Sequence, residues 1–159
     1  MPTLLSFRDL YAAWQAGVIL PGEVPPLVTD LLASGVKSAA LEDISWMRDP
    51  VSADLMPAFF RAALELRELP PSPAASRWRA AYLTAEEIAS ARITPSRGVE
   101  ILHRLCTELD MPDALTSFIY NDCDDGLGPG GRAVEEAWFD QQIVSAAGEL
   151  LRERPADSK

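Results

Sequence analysis

The stretch Ser6-Phe7-Arg8-Asp9-Leu10-Tyr11-Ala12-Ala13-Trp14-Gln15-Ala16-Gly17 states a complete amphipathic helix, start to stop. Ser6 followed three residues later by Asp9 is a capping signal, because each side chain can satisfy a backbone N–H that the first turn leaves unbonded. Leu5 and Leu10 are spaced to close an apolar staple across that turn. Phe7, Leu10, Tyr11 and Trp14 then recur at i, i+3, i+4 and i+7, the period of one buried helix face, and Gly17 supplies the stop.

The same grammar repeats along the chain. After Pro21-Gly22, the residues Val24, Leu27, Val28, Leu31 and Leu32 form a second stripe, with Pro25 and Pro26 tolerable in a first turn and Gly35 at the end. A third helix is predicted from about Ser38 to Met47, stopping before Asp49-Pro50. Ser52 or Asp54 caps a fourth, whose Leu55, Met56, Phe59, Phe60, Ala63, Leu64 and Leu66 spread over more than one face and so predict a central helix. Pro70-Pro71-Ser72-Pro73 is a stiff joint. Beyond it Trp78, Ala81, Tyr82, Ala85, Ile88 and Ala89 mark a fifth helix, and Thr94-Pro95 opens a sixth with Ile101, Leu102, Leu105, Cys106 and Leu109 on one face. Asp113 restarts a seventh with Leu115, Phe118 and Ile119. Asn121 to Gly131 reads as a glycine-punctuated loop, and the eighth helix runs from near Arg132 with Phe139, Ile143, Ala147 and Leu150 inward. No segment sustains the two-residue alternation of a half-buried strand. The expected fold is therefore all-α, one domain of about eight helices in two halves, 1–69 and 76–154, across a joint at 70–75. Trp14, Trp46 and Trp78 fall on the stripes and are expected in the core.

Composition bounds the function. The 159 residues carry 24 acids against 14 bases, a formal charge of -10, and 48% are hydrophobic. Such a field repels nucleic acid and anionic membrane and attracts basic partners. No apolar run approaches the ~20 residues of a membrane span. Two cysteines, Cys106 and Cys123, with no charged-then-apolar leader, point to a reduced, cytoplasmic setting.

No catalytic or metal constellation is assembled by spacing. His103 and Cys106 sit three apart, but His103 falls off the apolar stripe and Cys106 on it, with Glu108 and Asp110 near enough to oppose a thiolate. One histidine and two scattered cysteines fall short of zinc spacing. Asn121, Asp125 and Gly126 mimic the start of a calcium loop, yet Cys123 stands third and Arg132 twelfth, where an acid should chelate. Gly128-Pro129-Gly130-Gly131 lacks the lysine of a phosphate loop. No cofactor is expected.

Charge placement is the distinctive feature. Between Arg104 and Arg132 there is no base, while Glu108, Asp110, Asp113, Asp122, Asp124 and Asp125 supply six acids. The plain reading is a solvated loop with helix-starting aspartates. The functional reading is a surface for a cationic partner, to which Tyr120 and Asn121 add aromatic and polar contacts; Trp138, set apart from the stripe of its helix, is either covered by the preceding loop or adds a second aromatic to that surface.

The run Leu105-Cys106-Thr107-Glu108-Leu109-Asp110-Met111-Pro112-Asp113, continuing through Ser117-Phe118-Ile119-Tyr120 to Asp124-Asp125-Gly126, resembles the C-terminal signature of a bacterial all-helical family of unknown function. In that signature a helix ends in an acidic-aromatic turn before proline, then come a short helix and an acidic loop, and a tryptophan helix like that around Trp78 precedes them. Met111 stands where the aromatic is expected. Members of such families occur as immunity proteins against polymorphic or contact-dependent toxins. The resemblance spans Trp78 to Leu151, and it implies a non-enzymatic inhibitor of a cognate toxin with no catalytic residues to carry over. The competing expectation is an enzyme or small-ligand binder with a pocket between the helical halves near Pro70, where Arg77 and Arg79 would hold an anion.

Overall fold

A computed structural model describes residues 6–122 and 132–155. Every regular element among them is helical: α1 (Phe7–Gln15), a 3-10 turn (Pro21–Glu23), α2 (Val24–Ala33), α3 (Ala39–Ser45), α4 (Ser52–Leu66), α5 (Pro73–Ala89), α6 (Pro95–Glu108), α7 (Asp113–Asp122) and α8 (Arg132–Arg152). The all-α expectation holds. Among these residues no helix is long and apolar enough to cross a membrane.

The chain separates into two compact units that divide between Ala80 and Ala81, within α5. The proline joint is shorter than its sequence suggests: Pro73 occupies the first position of α5, where a missing N–H costs nothing.

The first unit is organised by aromatic packing. Ser6 and Asp9 close the capping box of α1 as expected. Phe7, Tyr11 and Trp14 then converge on the fully buried Phe59 of α4, with ring centroids 6.2, 5.6 and 4.8 Å away. Asp9 also accepts a hydrogen bond from Arg79 Nε, and Ser76 donates to Gln15, so the start of α5 is tied to α1. Ser38 caps α3 and donates a second bond to Glu65, which also takes the Ala40 N–H at 3.2 Å.

Several expectations fail in this unit. Val51 is the N-cap residue of α4, not Ser52 or Asp54; Asp54 instead reaches back to the Val51 N–H at 3.0 Å. Trp46 is not core. It is the C-cap of α3, and leaving the helix there turns its ring out of the stripe to 84% exposure. Trp78 is half-buried. The second apolar face of α4, expected to be covered in a central helix, is open.

In the second unit Leu102, Leu105 and Cys106 of α6 join Leu115 and Phe118 of α7 and Ile143, Ala147 and Leu150 of α8 in one core. Gly98 lets α6 approach Ile88 of α5 more closely than a side chain would allow. Arg154, just past α8, stacks 4.9 Å from the Tyr82 ring centre and bonds Glu86 at 3.2 Å. Asn121 and Asp122 belong to the last turn of α7 and not to the loop, since Leu115 and Phe118 anchor that helix firmly enough to carry it on.

Candidate functional site

Of the predicted acids, three are brought together by the turn between α6 and α7. Glu108 is the last residue of α6, Asp110 lies in the turn and Asp113 opens α7; all three are exposed. The turn is tight because Asp110 and Met111 both adopt left-handed backbone, at φ 64° and 56°. The Asp110 N–H returns to the Thr107 carbonyl at 3.2 Å and the Met111 N–H to the Cys106 carbonyl at 2.9 Å, which satisfies the end of α6 without a glycine. The acids differ in their surroundings. Glu108 pairs with Arg104 at 3.5 Å along α6 and borders a shallow polar depression with Glu100, His103 and Thr107. Asp113 sits where the α7 dipole favours negative charge.

Tyr120, Asn121 and Asp122 close α7, and their backbone alone is described; Asp124 and Asp125 lie outside the described residues. Trp138 stands on α8, 54% exposed, its ring edge-on to Phe139 at 5.1 Å. It is on a different helix from the acids.

Nucleophilic and metal chemistry gain nothing from the geometry. Cys106 is fully buried, and burial pushes its thiol up from the ordinary range; desolvation, not the neighbouring acids, is the cause. A thiol held neutral is a poor nucleophile. Among the described residues no group of three His, Cys, Asp or Glu side chains is placed to hold a metal ion. Arg79, expected as an anion anchor, is already bound by Asp9, and Arg77 is also engaged.

A second accessible feature escaped the sequence reading. Met56, Phe60 and Leu64 stand exposed along α4 and lead into an apolar cleft where the chain leaves that helix. The signal was present as the second apolar face of α4, but a two-faced helix reads equally well as a buried one. Against this geometry, no family model, no curated protein and no solved structure matches the chain.

Proposed function

We propose that this protein is a non-enzymatic, cytoplasmic inhibitor of the immunity type, which captures a basic bacterial toxin through the acidic surface that begins at the α6–α7 turn. The observation that carries the reading is the run from Arg104 to Arg132, with six acids and no base, whose described part sets Glu108, Asp110 and Asp113 on the exterior. A one-signed surface on a protein of charge -10 accelerates encounter with a cation and rejects wrong partners. The resemblance of Leu105 to Gly126 to toxin-immunity families supports the same reading, and the competing small-ligand reading loses its anion anchor because Arg79 is held by Asp9.

The test is co-expression with the product of the adjacent gene, followed by affinity and association-rate measurements at two salt concentrations. Replacing Asp110, Asp113, Asp122, Asp124 and Asp125 by Lys is expected to weaken binding at least about a hundredfold, since each ~1.4 kcal/mol is tenfold and facing like charges cost several kcal/mol. Association of the unaltered protein is expected to slow as salt shortens the screening length to ~10 Å at 0.1 M. Affinity indifferent both to the reversal and to salt refutes the assignment.

A further inference from the structure

Met56, Phe60 and Leu64 follow one another at four-residue intervals on α4 and are 49%, 48% and 79% exposed, while Leu55, Phe59 and Ala62 of the same helix are buried. Four-residue spacing sets them in one row. The row ends in a cleft of about 400 Å³ lined by Phe60, Leu64, Arg67, Glu68, Leu69 and Pro70, with Leu69 itself 86% exposed.

The cleft is made by the way α4 stops. Arg67 turns left-handed at φ 54°, its N–H bonds the Leu64 carbonyl at 3.2 Å, and the Glu68 N–H bonds the Ala63 carbonyl at 3.0 Å. A helix end of this kind ordinarily lays an apolar residue, at the position after the left-handed one, against the last full turn. Here that residue is Glu68, and its Oε2 is buried with no hydrogen-bond partner among the described residues. A buried carboxylate oxygen lacking a donor is costly, so a donor brought to it is favoured. The negative end of the α4 dipole lies at the same place. An apolar row that terminates at an unsatisfied acceptor asks for an aliphatic stem carrying a cation, which is a lysine or arginine side chain.

Charge also selects among occupants. A second copy of this chain would bring another -10, and an anionic membrane or nucleic acid meets the same repulsion. We propose that the α4 row and its cleft dock an amphipathic basic helix of a partner protein. The helix's apolar residues, at i and i+4, lie on Met56, Phe60 and Leu64, and one of its cations reaches Glu68, whose carboxyl turns about a soft terminal torsion to meet it. This surface belongs to the first unit and does not depend on the acidic turn of the second.

The probe is a synthetic amidated peptide of about 14 residues, near the length where an isolated helix becomes marginally stable, with leucine on one face and lysine on the other. Titrated into the full chain by calorimetry, it is expected to bind, and the same peptide with glutamate for lysine is not. Phe60→Ser with Leu64→Asn is expected to weaken binding at least about tenfold, and Glu68→Gln about threefold or more, whereas Asp110→Lys with Asp113→Lys changes it less than about twofold. All four positions outside Glu68 are exposed, and far-ultraviolet circular dichroism verifies folding. Absence of binding overturns the proposal, as does binding lost with the Asp110 and Asp113 reversals but kept in the α4 variants, which would mean attraction by charge alone. Sedimentation showing a dimer that Leu64→Asn dissolves also overturns it, by assigning the row to a second copy.

Discussion

Replacing Gly98 by Ala tests the close approach of α6 to α5 in the second unit. An ideal Cβ at position 98 would lie 2.4 Å from both Cγ1 and Cδ1 of Ile88 and 3.4 Å from Cδ1 of Ile93. Ordinary contact needs about 1 Å more than the shorter distances. Ile88 is almost fully buried, branched at Cβ and surrounded by close-packed neighbours, so it has no free rotamer into which to retreat. Overpacking of this kind costs about 1–3 kcal/mol, and the better helix propensity of Ala returns about 1 kcal/mol. The net expectation is a loss of about 1 kcal/mol. In an Ile88→Ala background, itself about 2–5 kcal/mol less stable, the obstructing atoms are gone. There Gly98→Ala should stabilise by about 1 kcal/mol, so the effect reverses sign and the coupling is about 2 kcal/mol, within the range for residues in contact. Urea unfolding of the four proteins, followed by far-ultraviolet circular dichroism, measures the cycle. If Gly98→Ala is neutral or stabilising in the otherwise unaltered chain, the close approach of α5 and α6 is not what holds Gly98 in place.

Two further outcomes follow from local geometry. Ala91 ends α5 in left-handed backbone at φ 55°, with its N–H on the Ile88 carbonyl at 3.0 Å; a left-handed L-residue costs about 1–2 kcal/mol and glycine's extra chain entropy about 0.5–1, so Ala91→Gly should raise stability by about 0.5–1 kcal/mol in urea unfolding, and a loss would contradict it. Glu65 is held below the usual carboxylate range, first by the Ser38 hydroxyl and then by the Ala40 N–H. A lowered folded-state value gives stability that is present above the unfolded value and lost as pH falls through the folded one, so unfolding midpoints should drop on acidification from about pH 5 to pH 3, less steeply in Glu65→Gln; equal slopes would remove Glu65 as a source.

What the sequence made legible was local chemistry. Ser6 with Asp9, Thr94 with Pro95, and the stops at Gly17 and Gly35 are each a short-range solution to unbonded groups at a helix end, and each is found where its residues are. The stops at Arg67, Ala91 and Asp110 were not legible, because the left-handed residue is not a glycine and the backbone bonds that close each end, from the N–H groups of Glu68, Arg92 and Met111, leave no mark in residue type. Trp46 and the outer face of α4 were misread for a related reason. Periodicity tells which residues share a face, but only the neighbours that arrive from elsewhere in the chain decide whether that face is covered, and Met56, Phe60 and Leu64 are left exposed. The acids at 108, 110 and 113 were legible as charge, whereas their gathering depends on two successive left-handed residues that no composition rule foretells.

The distribution of arginines sharpens the functional reading. Arg61, Arg79, Arg92, Arg97, Arg104 and Arg154 are each engaged by an acid, namely Asp43, Asp9, Glu87, Glu100, Glu108 and Glu86. An acid beside its own counter-charge contributes little to the field felt at a distance, because the pair looks like a dipole whose reach falls off faster than that of a lone charge and which salt screens further. Glu108 is such an acid, while Asp110 and Asp113 begin a stretch in which no base occurs before Arg132. Removing Glu108 would also free Arg104 to face an incoming cation, so its loss acts twice, once by deleting an acceptor and once by unmasking a repulsive charge. On the proposed reading, steering of a basic partner would originate from 110 onward, and the pairing of Glu108 with Arg104 would keep that arginine from opposing it.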